Sequence, residues 1–113
     1  MVKQRTLRDP HYLAWLRKLT CAFCGAWPPS EASHYGKHGI GIKPPDDQAL
    51  PACRACHARW HACGSPILSW DLLQREARRD RLITLAAEYR ARYERVIAYR
   101  DNYERDDESK GSD

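Results

Sequence analysis

With 113 residues and a formal net charge of +4, the chain is predicted to form one small domain whose core needs additional stabilisation. No apolar run approaches the roughly 20 residues that span a bilayer, and the charged start, MVKQRTLRDP, lacks the apolar segment of a signal peptide. These features exclude a membrane protein and predict a soluble, cytoplasmic one, in which cysteines are more often metal ligands than disulfide partners.

The first elements along the chain are predicted from its prolines and glycines. Asp9 and Pro10 form an N-cap and first-turn pair, which predicts a short helix to about Leu19. The apolar side of this helix holds Tyr12, Leu13, Trp15, Leu16 and Leu19. The prolines and glycines of residues 21–50 exclude a long helix there and favour two short strands, near residues 32–35 and 48–51.

Two further helices are predicted in the second half of the chain. Residues 54–62 form a short one that Gly64 closes, because glycine accepts the left-handed conformation of a helix end. Ser69 is a suitable N-cap for a long helix that runs to about Tyr103. An apolar residue recurs along it every three or four positions, at Leu72, Leu82, Leu85, Tyr89, Tyr93, Val96, Tyr99 and Tyr103. We expect this stripe to pack on the rest of the chain or to form a homodimer interface.

Charge divides the chain into a basic body and an acidic end. Residues 101–113 carry six acidic residues against two basic ones, a local net charge of −4, so residues 1–100 carry +8. A basic body favours polyanionic partners, although many domains carry such a surplus without one. The long helix carries eight arginines: Arg75, Arg78, Arg79, Arg81, Arg90, Arg92, Arg95 and Arg100. They either solvate the helix surface or form a ridge that faces phosphate groups.

The cysteines indicate a metal site. Two Cys-x-x-Cys pairs supply four thiolates, which suits the tetrahedral coordination of a closed structural zinc site, at Cys21, Cys24, Cys53 and Cys56. In the alternative arrangement, a histidine completes this site in place of one cysteine. Cys63 is the odd cysteine, and we expect it to be a spare buried thiol.

The histidines add a second group of candidate ligands. His57 and His61 are four residues apart on the predicted short helix, so their imidazoles share one face and can bind one metal ion. His34 lies on the first predicted strand, opposite that helix, where it can serve as a general base. The alternative is a core or surface histidine. His11 and His38 are expected to be exposed surface residues.

Three segments of the chain, in this order, resemble the His-Asn-His (HNH) endonuclease family, and in particular its small phage and prophage branch: RDPHYLAWLRKLTCAFCG, EASHYGKHGIGIKPPDD and PACRACHARWH. The resemblance covers about residues 8–64. The order and spacing of the segments are more specific than either Cys-x-x-Cys pair, or knuckle, alone. It implies a small α+β fold with a zinc-stapled ββα-metal, treble-clef-like core, preceded by a short helix. With the long helix added, we divide the chain into a nuclease core (residues 1–66), an amphipathic helix (67–104) and an acidic flexible tail (105–113).

The resemblance also implies a mechanism, the hydrolysis of phosphodiester bonds in DNA. His34 matches the general base, and His57 and His61 match the ligands of one catalytic divalent ion, which is Mg²⁺, Mn²⁺, Ni²⁺ or Zn²⁺. The four paired cysteines match a structural Zn²⁺ found in many members. Gln48 replaces the middle asparagine of the family name. We expect Lys43 in the glycine-rich loop, together with Arg54 and Arg59, to contact the nucleic acid.

One departure from the family pattern concerns the metal. Many members place a histidine or aspartate directly before the base, and here that position is Ser33. Glu31, Asp46, Asp47 or water would then supply the missing oxygen ligand.

The sequence leaves two alternative functions open: a zinc-stabilised nucleic-acid-binding module without turnover, and a protein-interaction adaptor that works through the long helix.

Overall fold

A computed structural model of the protein describes residues 7–35 and 44–111, with side chains described as far as residue 102. In these residues the fold is a small α+β arrangement of three helices and one antiparallel pair of strands. Two short 3-10 turns, Asp46–Gln48 and Leu68–Trp70, complete it. The main elements in chain order are helix α1 (Pro10–Arg17), strand β1 (Glu31–His34), strand β2 (Ala49–Ala52), helix α2 (Arg54–Cys63) and helix α3 (Arg75–Gly111).

Helix α1 begins where its N-cap predicts. The Asp9 carboxylate accepts a hydrogen bond from the backbone N–H of Tyr12 at 3.1 Å, and Pro10 occupies the first helical position. The helix ends at Arg17 rather than near Leu19, because the backbone N–H groups of Lys18 and Leu19 turn back onto Trp15 and Leu16.

Strands β1 and β2 pair so that each face of the sheet packs against a different part of the core. Directly paired residues share a face, which groups Glu31 and Ser33 with Ala52 and Leu50, and His34 with Ala49. Leu50 and Ala52 belong to a cluster with Trp70 and Leu82, whereas Ala49 packs with Tyr12, Leu16 and Tyr93. The sheet therefore separates two small cores.

The start of helix α3 corrects the sequence-based prediction. Ser69 lies inside the 3-10 turn Leu68–Trp70 and caps nothing, because the chain bends there to bury the Trp70 side chain. The helix begins only at Arg75. It then continues to Gly111 instead of ending near Tyr103, so the backbone of most of the predicted acidic tail is helical.

The buried face of α3 follows a narrower line than the predicted apolar stripe. Leu82, Ala86 and Tyr93 are buried, and they pack on β2 and α1. Leu72 is 95% exposed because it precedes the helix, and Tyr99 is 74% exposed because it lies beyond the core. Only the middle of α3 therefore anchors the helix.

Candidate metal centre and histidine sites

Four cysteines from two separate parts of the chain meet in one cluster. The first knuckle follows α1, and the second spans the junction of β2 and α2. The Sγ atoms of the four residues all lie within 4.8 Å of one another, and they belong to Cys21, Cys24, Cys53 and Cys56. Sulfur atoms that share one zinc ion at about 2.3 Å are about 3.8 Å apart in tetrahedral geometry. The cluster therefore suits a closed structural zinc site, and it needs no histidine.

Local hydrogen bonds prepare these thiols for a cation. The Cys21 Sγ accepts from the backbone N–H of Phe23, and the Cys53 Sγ accepts from that of Cys56, each at 3.4 Å. Burial alone would raise the pKa of Cys21, but hydrogen bonds from backbone N–H groups outweigh it and lower this pKa to about 7. Burial and the neighbouring thiols raise the pKa of Cys56. A cation bound among the four sulfur atoms would favour their thiolate forms.

The cluster also ties secondary structure together. Cys53 is the N-cap of α2, and Gly64 closes that helix with a φ of 73°, donating its N–H to the carbonyl of Trp60. The first knuckle is joined to β2 by the backbone N–H of Ala22, which donates to the carbonyl of Pro51 at 2.8 Å. Cys63 takes no part in the cluster. It is exposed, so the expectation of a buried thiol is wrong: its Sγ lies 3.6 Å from the carbonyl oxygen of Ser65 at the exposed end of α2.

His57 and His61 lie side by side on α2. Their Nε2 atoms are 3.0 Å apart, and both side chains are partly or fully exposed. The other ring nitrogen of His57, Nδ1, lies 2.8 Å from the Glu31 carboxylate on β1. A carboxylate that accepts from one nitrogen of a histidine holds the other nitrogen bare and oriented for a metal ion. Glu31 is therefore engaged as a partner of His57 instead of standing as a free oxygen ligand.

His34 and Asp46 form a second polar pair at the opposite end of β1. The Nε2 of His34 lies 2.8 Å from Oδ1 of Asp46. Asp46 is almost completely buried, whereas the His34 side chain keeps 12% of its exposure. Burial alone would raise the pKa of Asp46, but hydrogen bonds from the backbone N–H of Asp9 and from His34, together with the charge of Arg8, outweigh it and lower this pKa.

The two histidine sites are separate in this structure. Side chains alternate between the faces of a strand, which puts Glu31 and Ser33 on one face of β1 and His34 on the other. No hydrogen bond or ring contact joins His34 to the pair on α2 within the described part of the chain. His34 and the histidine pair on α2 therefore form two sites, one at each end of strand β1.

The remaining predicted site residues differ in their surroundings. Gln48 lies in the 3-10 turn Asp46–Gln48, and its Oε1 is buried without a partner among the described residues. Ser33 is also buried, with an unpartnered Oγ.

Arg54 is exposed at the start of α2. Arg59 instead holds Asp71 through two hydrogen bonds of 2.7 and 2.6 Å, which lowers the pKa of Asp71 to about 2. Lys43 and His38 lie outside the described residues.

Two partners of the candidate site were not foreseen from the sequence. Arg8 and Asp9 both contact Asp46, although they precede it by 38 and 37 residues. The only local indication of these contacts is the charged Arg-Asp-Pro segment itself, and its Asp-Pro pair is equally well interpreted as a helix cap. Contacts over such separations follow from the tertiary fold.

Comparison of the chain with protein-family models, curated proteins and solved structures gives no match. Among the described helices, none combines the length and the apolar character needed to cross a membrane.

Proposed function

We propose that the protein is a metal-dependent endonuclease of the HNH type, which hydrolyses phosphodiester bonds in DNA. The observation that carries this proposal is the pair of Nε2 atoms of His57 and His61, 3.0 Å apart, with the Nδ1 of His57 held by Glu31. Two imidazole nitrogens about 2.1 Å from one ion and at right angles to each other are also about 3.0 Å apart. The pair is thus spaced for a shared ion with open coordination positions.

The residues of this pair fit a catalytic rather than a structural ion. Both histidines lie at the surface, so substrate and water can reach the open positions. Imidazole ligands suit Zn²⁺ and Ni²⁺, whereas Mg²⁺ and Mn²⁺ would rely more on water and on substrate phosphate. When bound there, a divalent ion would polarise the scissile phosphate and stabilise the leaving oxygen.

The other residues of the chain have roles in binding and proton transfer. His34 accepts the proton of the attacking water, and Arg54 and Lys43 bind the DNA backbone through its phosphates. The amide of Gln48 stands in for the asparagine of the family pattern. Hydrolysis would leave a 5′-phosphate and a 3′-hydroxyl. A phage or prophage origin belongs to the same proposal, since it follows from the resemblance alone.

A second candidate function is a zinc-stabilised nucleic-acid-binding module without turnover. It is favoured by Ser33, which stands where many HNH enzymes have a metal ligand and whose Oγ is buried. It is also favoured by the position of His34 on the face of β1 opposite Glu31. Binding of this kind would depend steeply on salt, because phosphate contacts release counterions.

Nicking of supercoiled plasmid tests the two candidates. Protein that retains its structural zinc would be depleted of loosely bound metal and supplied with Mg²⁺, Mn²⁺, Ni²⁺ or Zn²⁺, beside His61→Ala and the control His11→Ala. His11 is exposed on α1, and no hydrogen bond joins it to either histidine site among the described residues. We expect metal-dependent nicking by the wild type and the control, and its loss in His61→Ala. Salt-sensitive binding without nicking of any DNA form would replace the enzyme by the binding module.

A further inference from the structure

The carboxylate of Asp46 is fully engaged in a buried position. Its Oδ1 lies 2.8 Å from the Nε2 of His34, and its Oδ2 accepts the backbone N–H of Asp9 at 2.7 Å. The Arg8 guanidinium lies 3.5 Å from the same Oδ1. A carboxylate with 3% side-chain exposure and both oxygens bonded is a poor candidate for the missing metal ligand. It is instead fixed in orientation, and it holds one nitrogen of His34.

The segment before α1 clamps this carboxylate in place. The backbone N–H of Asp46 donates to the carbonyl of Leu7 at 3.0 Å, and Arg8 donates to the carbonyl of Pro44 at 2.7 Å. The Arg-Asp-Pro opening and the Pro-Pro-Asp element are therefore joined by both backbone and side-chain hydrogen bonds. Such multiple attachment restricts the Asp46 side chain far more than a single ion pair would.

The clamp continues into the long helix. Asp9 caps α1 with one carboxylate oxygen, and its other oxygen accepts a hydrogen bond from Arg90 of α3 at 3.0 Å. The Arg90 guanidinium also lies 4.9 Å from the centre of the Tyr12 ring, within the range of a cation–π contact. The position of Asp46 is thus set by α1 and α3 together, both of which pack on the core.

We propose that Asp46 is a positioning residue for His34: it accepts the Nε2–H of the imidazole and leaves Nδ1 as the nitrogen that takes the proton of water. This inference rests on the proposed function, in which His34 is the base. No hydrogen-bond partner occupies Nδ1 among the described residues. In the reaction, the O–H bond of water breaks, its proton moves to Nδ1, and the oxygen bonds to phosphorus. The bond from phosphorus to the 3′ oxygen breaks, its electron pair stays on that oxygen, and a proton from solvent water completes the 3′-hydroxyl. Asp46 stabilises the imidazolium that forms, without itself accepting the proton.

The tautomer of His34 is the first test, and it requires no cleavage. Nitrogen-15 NMR of the zinc-loaded wild type, at a pH where the imidazole is neutral, reports which ring nitrogen carries the proton. We expect a protonated Nε2 and a bare Nδ1. In Asp46→Asn the side-chain amide can donate to Nε2, which would move the proton to Nδ1. Asp80→Asn, an equal charge change at an exposed position on α3, should leave the tautomer as in the wild type. A wild-type His34 protonated on Nδ1 would overturn the inference.

Cleavage provides the second test. If the wild type nicks DNA, we expect Asp46→Asn to lower kcat by about 100- to 10,000-fold, as a base held in the wrong tautomer does, with little change in KM. A loss of less than about threefold at an altered tautomer would refute the positioning role. If the wild type does not cut, the nuclease proposal fails, while the tautomer measurement still decides whether Asp46 holds His34.

A chemical variant covers the case in which Asp46→Asn does not fold. Incorporation of Nδ1-methylhistidine at position 34 blocks Nδ1, and the methylated ring keeps a proton on Nε2 for Asp46 only as an imidazolium, which cannot act as a base. We expect this protein to retain its zinc and its unfolding temperature but to lose nicking. Nicking at the wild-type rate would exclude Nδ1 as the reacting nitrogen and thereby overturn the inference.

Discussion

Removal of the metal from the four-cysteine cluster should destabilise the whole fold. Among the described residues, the two knuckles are held together by the cluster, by a few backbone hydrogen bonds and by the packing of Phe23 in the core, and Cys24 and Cys53 are 29 residues apart. In the chain-entropy model, closing a loop of this length lowers the entropy of the unfolded chain enough to stabilise the fold by about 3.6 kcal/mol. Zinc–thiolate bonding would add to this value, so it is a lower bound on the loss.

The expected change in unfolding temperature follows from the size of the chain. For 113 residues, an unfolding entropy of about 2.1 cal/mol/K per residue converts this loss into a decrease in Tm of about 15 °C. Total stabilities of small domains are about 5–15 kcal/mol. Chelation should therefore remove a substantial part of the stability, and it should broaden or abolish the cooperative transition.

Circular dichroism melts, with zinc content measured in parallel, provide the assay. Cys24→Ser removes one ligand at an exposed position, and Cys63→Ser makes the same change at an exposed cysteine outside the cluster. We expect one structural zinc per chain in the wild type and in Cys63→Ser, with nearly equal Tm values. If the chelated wild type or a zinc-free Cys24→Ser melts within about 3 °C of the zinc-loaded protein, the four-cysteine site does not stabilise the fold as argued.

Two further predictions test the histidine pair and the long helix. Glu31→Gln should weaken binding of a divalent ion to the pair of His57 and His61 by about 10- to 100-fold, because the second nitrogen of His57 loses its carboxylate partner. Calorimetric titration of protein that retains its structural zinc measures this affinity. An unchanged affinity would count against an oriented metal site. Leu82→Ala should lower the unfolding free energy by about 2–5 kcal/mol, whereas the adjacent Ile83→Ala should change it by less than about 1 kcal/mol, because Leu82 is 3% exposed and Ile83 is 57% exposed. Urea unfolding compares the two, and equal losses would contradict the buried face assigned to α3.

Local features of the fold were predictable from the sequence because neighbouring residues determine them. Asp9 and Pro10 specify the start of α1, and Gly64 specifies the end of α2 through its positive φ. The two Cys-x-x-Cys spacings likewise predict a four-thiol cluster, which the structure contains. In each case, the physical requirement of a cap, a turn or a knuckle is met within a few residues.

Features that depend on tertiary packing were predicted less well. Ser69 has the chemistry of an N-cap, but burial of Trp70 bends the chain and delays α3 to Arg75. The exposure of Cys63 depends on which side of α2 faces the cores, and the apolar periodicity of this helix is too weak to decide it. Contacts between Asp46 and the start of the chain lie beyond any local pattern, since they join residues nearly forty positions apart.

Strand β1 sets the distance between the two histidine sites. Glu31, its first residue, holds His57, and His34, its last residue, holds Asp46. At a rise of about 3.3 Å per residue, the two Cα atoms are about 10 Å apart along the strand. The two sites also lie on opposite faces of β1, so the strand itself separates them in addition to this distance. His57 and His61 lie on α2, which Cys53 caps, whereas Asp46 is held by the segment before α1. We therefore expect loss of structural zinc to disorder the two histidines of α2, while the hydrogen bond between His34 and Asp46 persists as long as α1 and α3 remain packed.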